Sequence, residues 1–222
     1  MDTLLAALRD FLTAPAFLWI WAVLVGASLA VLARDLVARN RGIAPLMKAV
    51  WALTVLYSGP LGVAIYWWTG RRQIATDSLW RRAWRSVAHC YSGCGAGEVV
   101  GVTLAAGILS LATGWVAGIT FGCAYLFGYA LTVGPLVQEG VGWGEALVDA
   151  FWSETASITV MEVTAIGADL VLAGEAVIGE PLFWSALIFS LSLGLLAAYP
   201  VNVLLIRVGV KEGMGDPRSR AA

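Results

Sequence analysis

The sequence predicts an all-α, polytopic integral membrane helix bundle of about six transmembrane helices, with proline-broken spans and interfacial amphipathic helices. Three observations predict it. Hydrophobic residues make up 59% of the chain and charged residues 13%, with a mean hydropathy of +0.80, against about 45–50% and about 25% in soluble domains. Apolar runs long enough to span about 30 Å of hydrocarbon recur along the whole chain. All 14 Lys and Arg lie either between Arg9 and Arg85 or between Arg207 and Arg220, so the interval between carries acids without a base. Water-soluble globular, disordered, coiled-coil, collagen-like and nucleic-acid-binding classes are excluded.

Taken in order, Asp2 to Thr13 is amphipathic and is cut off by Pro15, which reads as an interfacial helix. The expected spans are residues 16–33, 46–68, 90–112, 115–137, 154–174 and 182–206. Met1-Asp2-Thr3 carries no basic n-region, so the first span is expected to stay in place rather than act as a cleaved signal. Arg71 to Arg85 alternates arginines with Trp80 and Trp84, the pattern of a helix anchored on a lipid surface. The chain is expected to form one transmembrane domain over 1–222, with 1–44 as the first span and its connecting loop.

Six spans put both termini on one side. Placing them in the cytoplasm puts Arg9, the arginines of 71–85, Arg207, Lys211, Arg218 and Arg220 inside, and leaves Arg34, Arg39, Arg41 and Lys48 outside. Pro60, Pro135 and Pro200 fall within or at the edge of spans and are expected to bend or break them. Broken helices expose carbonyls that cations can use. A short echo between Tyr57–Pro60 and Tyr199–Pro200 hints at an inverted repeat.

The string from His89 to Glu98 carries the chemistry. On a helix Cys90, Cys94 and Glu98 share one face at i, i+4, i+8, and Gly93, Gly97 and Gly101 form the adjacent stripe. Such a stripe admits a second helix at close range, from this chain with Cys123 as a further ligand, or from another copy in a homo-oligomer. His89, Cys90, Cys94, Glu98 and Cys123 are thus candidate ligands for a soft or borderline cation such as Cu(I) or Zn(II). The bland alternative makes the thiols small buried hydrophobes.

In the fifth span Glu162 and Asp169 lie seven residues apart, and no lysine or arginine occurs in the nearby spans. A charge at the bilayer centre costs at least about 2.5–3.5 kcal/mol, so these acids call for a proton, a bound cation or water. Glu154 is expected to be solvated at the interface. Glu162, Asp169, Tyr57, Pro60, Tyr199 and Asn202 are the candidate ion path. No phosphate-binding loop is present, and His89 is the only histidine available as a general base, which weighs against hydrolase chemistry.

The strings His89-Cys90-x-x-Gly93-Cys94, Leu56-Tyr57-x-Gly59-Pro60-Leu61, and Tyr199-Pro200-x-Asn202 followed by Arg207-x-Gly209-x-Lys211-Glu212 resemble the prokaryotic membrane-protein family catalogued as domain of unknown function 4396. The resemblance covers residues 45–214, and Glu162 with its apolar run also fits. Tyr91-Ser92 between the thiols and Glu98 in place of the usual aspartate are departures, the second of which keeps a carboxylate. The resemblance implies a polytopic fold of the prokaryotic plasma membrane with a shared His-Cys-Cys site, and no established activity. The function expected is therefore that of a bilayer-embedded protein that binds and moves a cation. The rivals are a membrane thiol-disulfide oxidoreductase and a non-catalytic scaffold or assembly subunit.

Overall fold

A computed structural model describes residues 2–219. Within them the chain is helical and has no strand: α1 (Asp2–Thr13), α2 (Pro15–Ala38), α3 (Pro45–Ser58), α4 (Pro60–Thr69), α5 (Leu79–Val102), α6 (Thr113–Gln138), α7 (Trp143–Ala173) and α8 (Pro181–Arg207). A π-helical stretch, Thr103–Ile108, prolongs α5. Four of these helices begin on proline at the first turn, where the missing N–H costs nothing. Ser78 caps α5 by accepting a hydrogen bond from the Arg81 amide. Helices α2, α6, α7 and α8 are each long and apolar enough to cross a membrane. The protein is a membrane helix bundle.

The expected second span, 46–68, is not one rod. Gly59 has φ 53° and ψ −124°, a conformation that favours glycine, and there the chain reverses. The Trp51 ring meets Tyr66 edge-on at 5.3 Å, and a Cβ on Gly62 would come within 2.9 Å of Val55 Cα. Helices α3 and α4 therefore lie antiparallel as a re-entrant hairpin. Its two open ends share the C-terminal end of α2. Arg71, just past α4, pairs with Asp35 at 2.7 Å, Tyr66 and Asn40 also donate to Asp35, and the Arg72 amide donates to Asn40. The tip at Gly59 packs on Trp21 and Val25, part-way along α2.

This hairpin changes the topology. Helices α2, α5, α6, α7 and α8 run the length of the bundle, an odd number, so the described residues begin and end at opposite ends of it, not at one end as expected. Arg9 of α1 donates to the carbonyls of Val171 and Leu172 at the end of α7, and Ser185 near the start of α8 donates to Leu12. At the other end Met214 is hydrogen-bonded to Ser86 and Arg85. Arg34, Arg39, Arg41 and Lys48, which the expected topology put opposite the other bases, now share their end. Among the described residues every lysine and arginine except Arg9 stands at this basic end; Arg220 lies outside them.

Pro135 and Pro200 do not break their helices: α6 and α8 run through them. The expected inverted repeat is therefore absent, since Pro60 starts the return arm of a hairpin while Pro200 sits on the exposed side of a continuous helix. The glycine stripe of α5 is filled by α6 of the same chain. A Cβ would lie 2.4 Å from the Cys123 carbonyl oxygen at Gly97, 2.6 Å from Thr120 Cα at Gly101 and 3.0 Å from Gly128 Cα at Gly93. That surface is covered and is not open to a second copy.

Two outcomes follow from this architecture. Reporters fused to the two termini read opposite sides of the membrane; a same-side result would refute the hairpin. Gly97→Ala lowers stability by about 1–3 kcal/mol through overpacking, whereas Gly118→Ala, with open space at its Cβ, leaves the detergent melting temperature unchanged.

Candidate functional site

Helices α5 and α7 run parallel from the basic end and stand in register. Cys90 and Glu154 each lie about 17 Å along their helices, and Glu98 and Glu162 each about 28 Å, at 1.5 Å rise per residue. The α5 face that the i, i+4, i+8 spacing defines is thereby opposed, level by level, by acids of α7.

At the level nearest the basic end, Glu154 is buried rather than solvated. The Lys211 ammonium donates to Glu154 Oε2 at 2.7 Å, the Cys90 thiol donates to the same oxygen at 3.0 Å, and Thr132 of α6 donates to Oε1 at 3.4 Å. No base was expected near these acids, because none occurs in the adjacent spans. Lys211 comes instead from the segment after α8, which turns back into the bundle at Gly209 and Gly213, both at positive φ. Arg85 holds this segment: it donates to the Met214 carbonyl and, through Nη2, to both oxygens of Asp77 at 2.9 Å. Beyond it, hydrogen bonds from Arg218 hold the Asp216 carboxyl down at about 2. His89 is buried beside this level, its Nδ1 without a partner.

One level deeper, Cys94 lies between Cys90 and Glu162, and then Glu98 and Glu162 face each other. Both are buried, with 1% and 0% exposure. The two carboxyl groups lie within hydrogen-bonding reach of each other, Glu162 also faces the Cys94 thiol, and no base lies beside them. The hairpin tip closes one side: Tyr57 packs on Gly95, where a Cβ would meet its ring at 2.6 Å, and stands edge-on to Tyr91 at 5.7 Å.

Beyond the acid pair a cavity of about 440 Å³ extends toward the α1 end, bounded there by Ser110–Thr113 and Gly174–Ile178. Glu98, Thr120 and Asp169 line it. Thr120 Oγ1 and Asp169 Oδ1 are also unpartnered.

The structure thus lines up His89, Cys90, Cys94, Glu98, Glu162, Asp169 and Tyr57. It leaves out the others. Gly128, not Cys123, is the α6 residue opposite Cys94, and the Cys123 backbone fills the space at Gly97. Tyr199 stacks on Trp84 at 4.0 Å. Asn202 donates to Ser157 and to the Ala198 carbonyl in the α7–α8 seam. Pro60 is exposed. Among the described residues no three His, Cys, Asp or Glu side chains are grouped to hold one metal ion. Lys211 and Thr120 were missed as site residues; glycines flanking Lys211 were the available signal, and Thr120 had none.

Lys211→Met leaves Glu154 a buried charge without its counter-ion and is expected to cost about 3–5 kcal/mol. The double variant Glu154→Gln/Lys211→Met regains most of that loss in detergent thermal unfolding. Equal instability of single and double variants would show that the pair is not coupled.

No curated protein and no solved structure matches the chain. The model of the family described as Domain of unknown function (DUF4396) matches residues 79–211, which leaves the hairpin string Leu56–Leu61 outside the match. Running from the first residue of α5 to the lysine that reaches Glu154, that match makes this chain a member of the DUF4396 family.

Proposed function

We propose that the protein moves a cation, namely the proton, across the membrane along the α5–α7 seam. The observation that carries this reading is the Glu98–Glu162 pair: two buried carboxyl groups face to face, within hydrogen-bonding reach of each other, with no base beside them. Such a pair needs a proton or another cation for charge compensation in a low-dielectric interior. Cys94, Cys90 and Glu154 continue the line to Lys211 at the basic end, and the cavity reaches Glu98 from the α1 end. By the positive-inside rule the basic end is cytoplasmic, with the C-terminus inside and the N-terminus outside, in the plasma membrane of a prokaryotic cell.

A proton suits the line better than Cu(I) or Zn(II). A tetrahedral metal site such as that of Zn(II) draws on three or four converging donors, and His89, Cys90, Cys94, Glu98 and Cys123 do not converge in that way. Thiol-disulfide exchange needs an accessible thiolate, and Cys90 and Cys94 are both buried.

In proteoliposomes with an imposed membrane potential and a trapped pH-sensitive dye, the wild-type chain is expected to pass protons. Glu98→Gln and Glu162→Gln each reduce the flux at least tenfold, while Cys123→Ser is silent. Flux that survives both glutamate variants sinks the reading. Stoichiometric copper or zinc in purified protein, lost in Cys90→Ser/Cys94→Ser, would move the assignment to a metal.

A further inference from the structure

The cavity is larger than a proton path needs. It holds about 440 Å³, within the range of about 300–1,000 Å³ typical of small-molecule sites. Its walls are mostly apolar, with Val102, Val116, Ala117, Ile166, Phe183 and Leu187 among them. Glu98, Thr120 and Asp169 contribute to its lining, and each holds a buried oxygen without a hydrogen-bond partner, Glu98 Oε1, Thr120 Oγ1 and Asp169 Oδ1. All three accept hydrogen bonds, although the threonine hydroxyl can also donate. No lysine or arginine lines the cavity, and the carboxylate of Glu175 adds to its negative character. Arg9 stands beside the lining residue Gly174, where a Cβ would lie 3.8 Å from its Nη2, and it donates to the Val171 and Leu172 carbonyls.

We infer that this cavity is a binding site for an organic cation with N–H donors and an apolar body, that is, a protonated primary amine. An ammonium group carries three donors and no acceptor, so it matches acceptors that lack partners and compensates the charge of the acids. The apolar body fills the wall that no inorganic ion would touch. A neutral molecule leaves the carboxyl groups uncompensated, and a quaternary ammonium offers them no hydrogen bond. The inference rests on the reading that the Glu98–Glu162 pair takes a cation, and it supplies a substrate class for that pair.

The test is equilibrium binding of 2-phenylethylammonium to the full-length protein in detergent, by calorimetry, against 2-phenylethanol and 2-phenylethyl-trimethylammonium as probes with the same body. The primary ammonium is expected to bind saturably and at least tenfold more tightly than either probe. Glu98→Gln weakens it at least tenfold and Asp169→Asn several-fold. Ala117→Phe, which fills the cavity and leaves the acids in place, abolishes it. Equal affinity for the alcohol, insensitivity to Glu98→Gln in a protein that elutes as a monodisperse peak, or an absence of saturable binding each overturns the inference; so does finding that only lipid or detergent occupies the cavity. Proton flux in proteoliposomes separates the two failures: Glu98-dependent flux without amine binding removes this inference alone, while absent flux removes the reading beneath it.

Discussion

The close approach of α5 to α6 is the contact on which the rest of the bundle depends. Without side chains at Gly93, Gly97 and Gly101, the two backbones meet at van der Waals distance. Lipid gives little hydrophobic driving force between helices, so such packing over small residues is a principal source of association. It draws α5 into the centre, where α3, α6, α7 and α8 all pack on it. The acid-bearing face of α5 then has no lipid to turn toward, and α7 meets it in register.

Charge is handled differently at the two ends of that seam. At the basic end Glu154 has a protein counter-ion, Lys211, tethered by a short glycine-flanked segment and held by the Arg85 contacts. At the other end Glu98 and Asp169 face a cavity and have none. The line of polar groups is thus closed by the protein's own ammonium on one side and borders a cavity on the other.

The re-entrant hairpin brings a helix break to the side of the acid site. Its break places the C-terminal end of α3 and the N-terminal end of α4 part-way along the bundle rather than at either end of it, with Ser58 and Gly59 buried and Pro60 exposed. Irregular backbone at that depth is tolerated only where protein or a cavity satisfies it. Here α2 covers the tip on one side and α5 on the other, and Tyr57 carries the contact to Tyr91 and Gly95. The hairpin is therefore a wall of the acid site as well as a topological device.

Much of this was legible from residue order alone. Helical periodicity put Cys90, Cys94 and Glu98 on one face and the glycines beside them, because i, i+4 spacing fixes neighbours on any helix. The cost of an unpaired acid in hydrocarbon singled out Glu162. Three things needed the tertiary structure. A proline after glycine marks a break without saying whether the chain continues or returns, and only the Trp51–Tyr66 and Arg71–Asp35 contacts decide for return. Which helix residue faces a cysteine depends on the rotation of the partner helix, so Gly128 rather than Cys123 stands opposite Cys94. A counter-ion distant in sequence is invisible to local reading. Hydropathy, spacing and the energetic cost of buried charge determined from sequence that this is a membrane bundle with buried acids; the pairing of Lys211 with Glu154 and the opposition of Glu98 to Glu162 arise from packing between distant segments, which residue order does not encode locally.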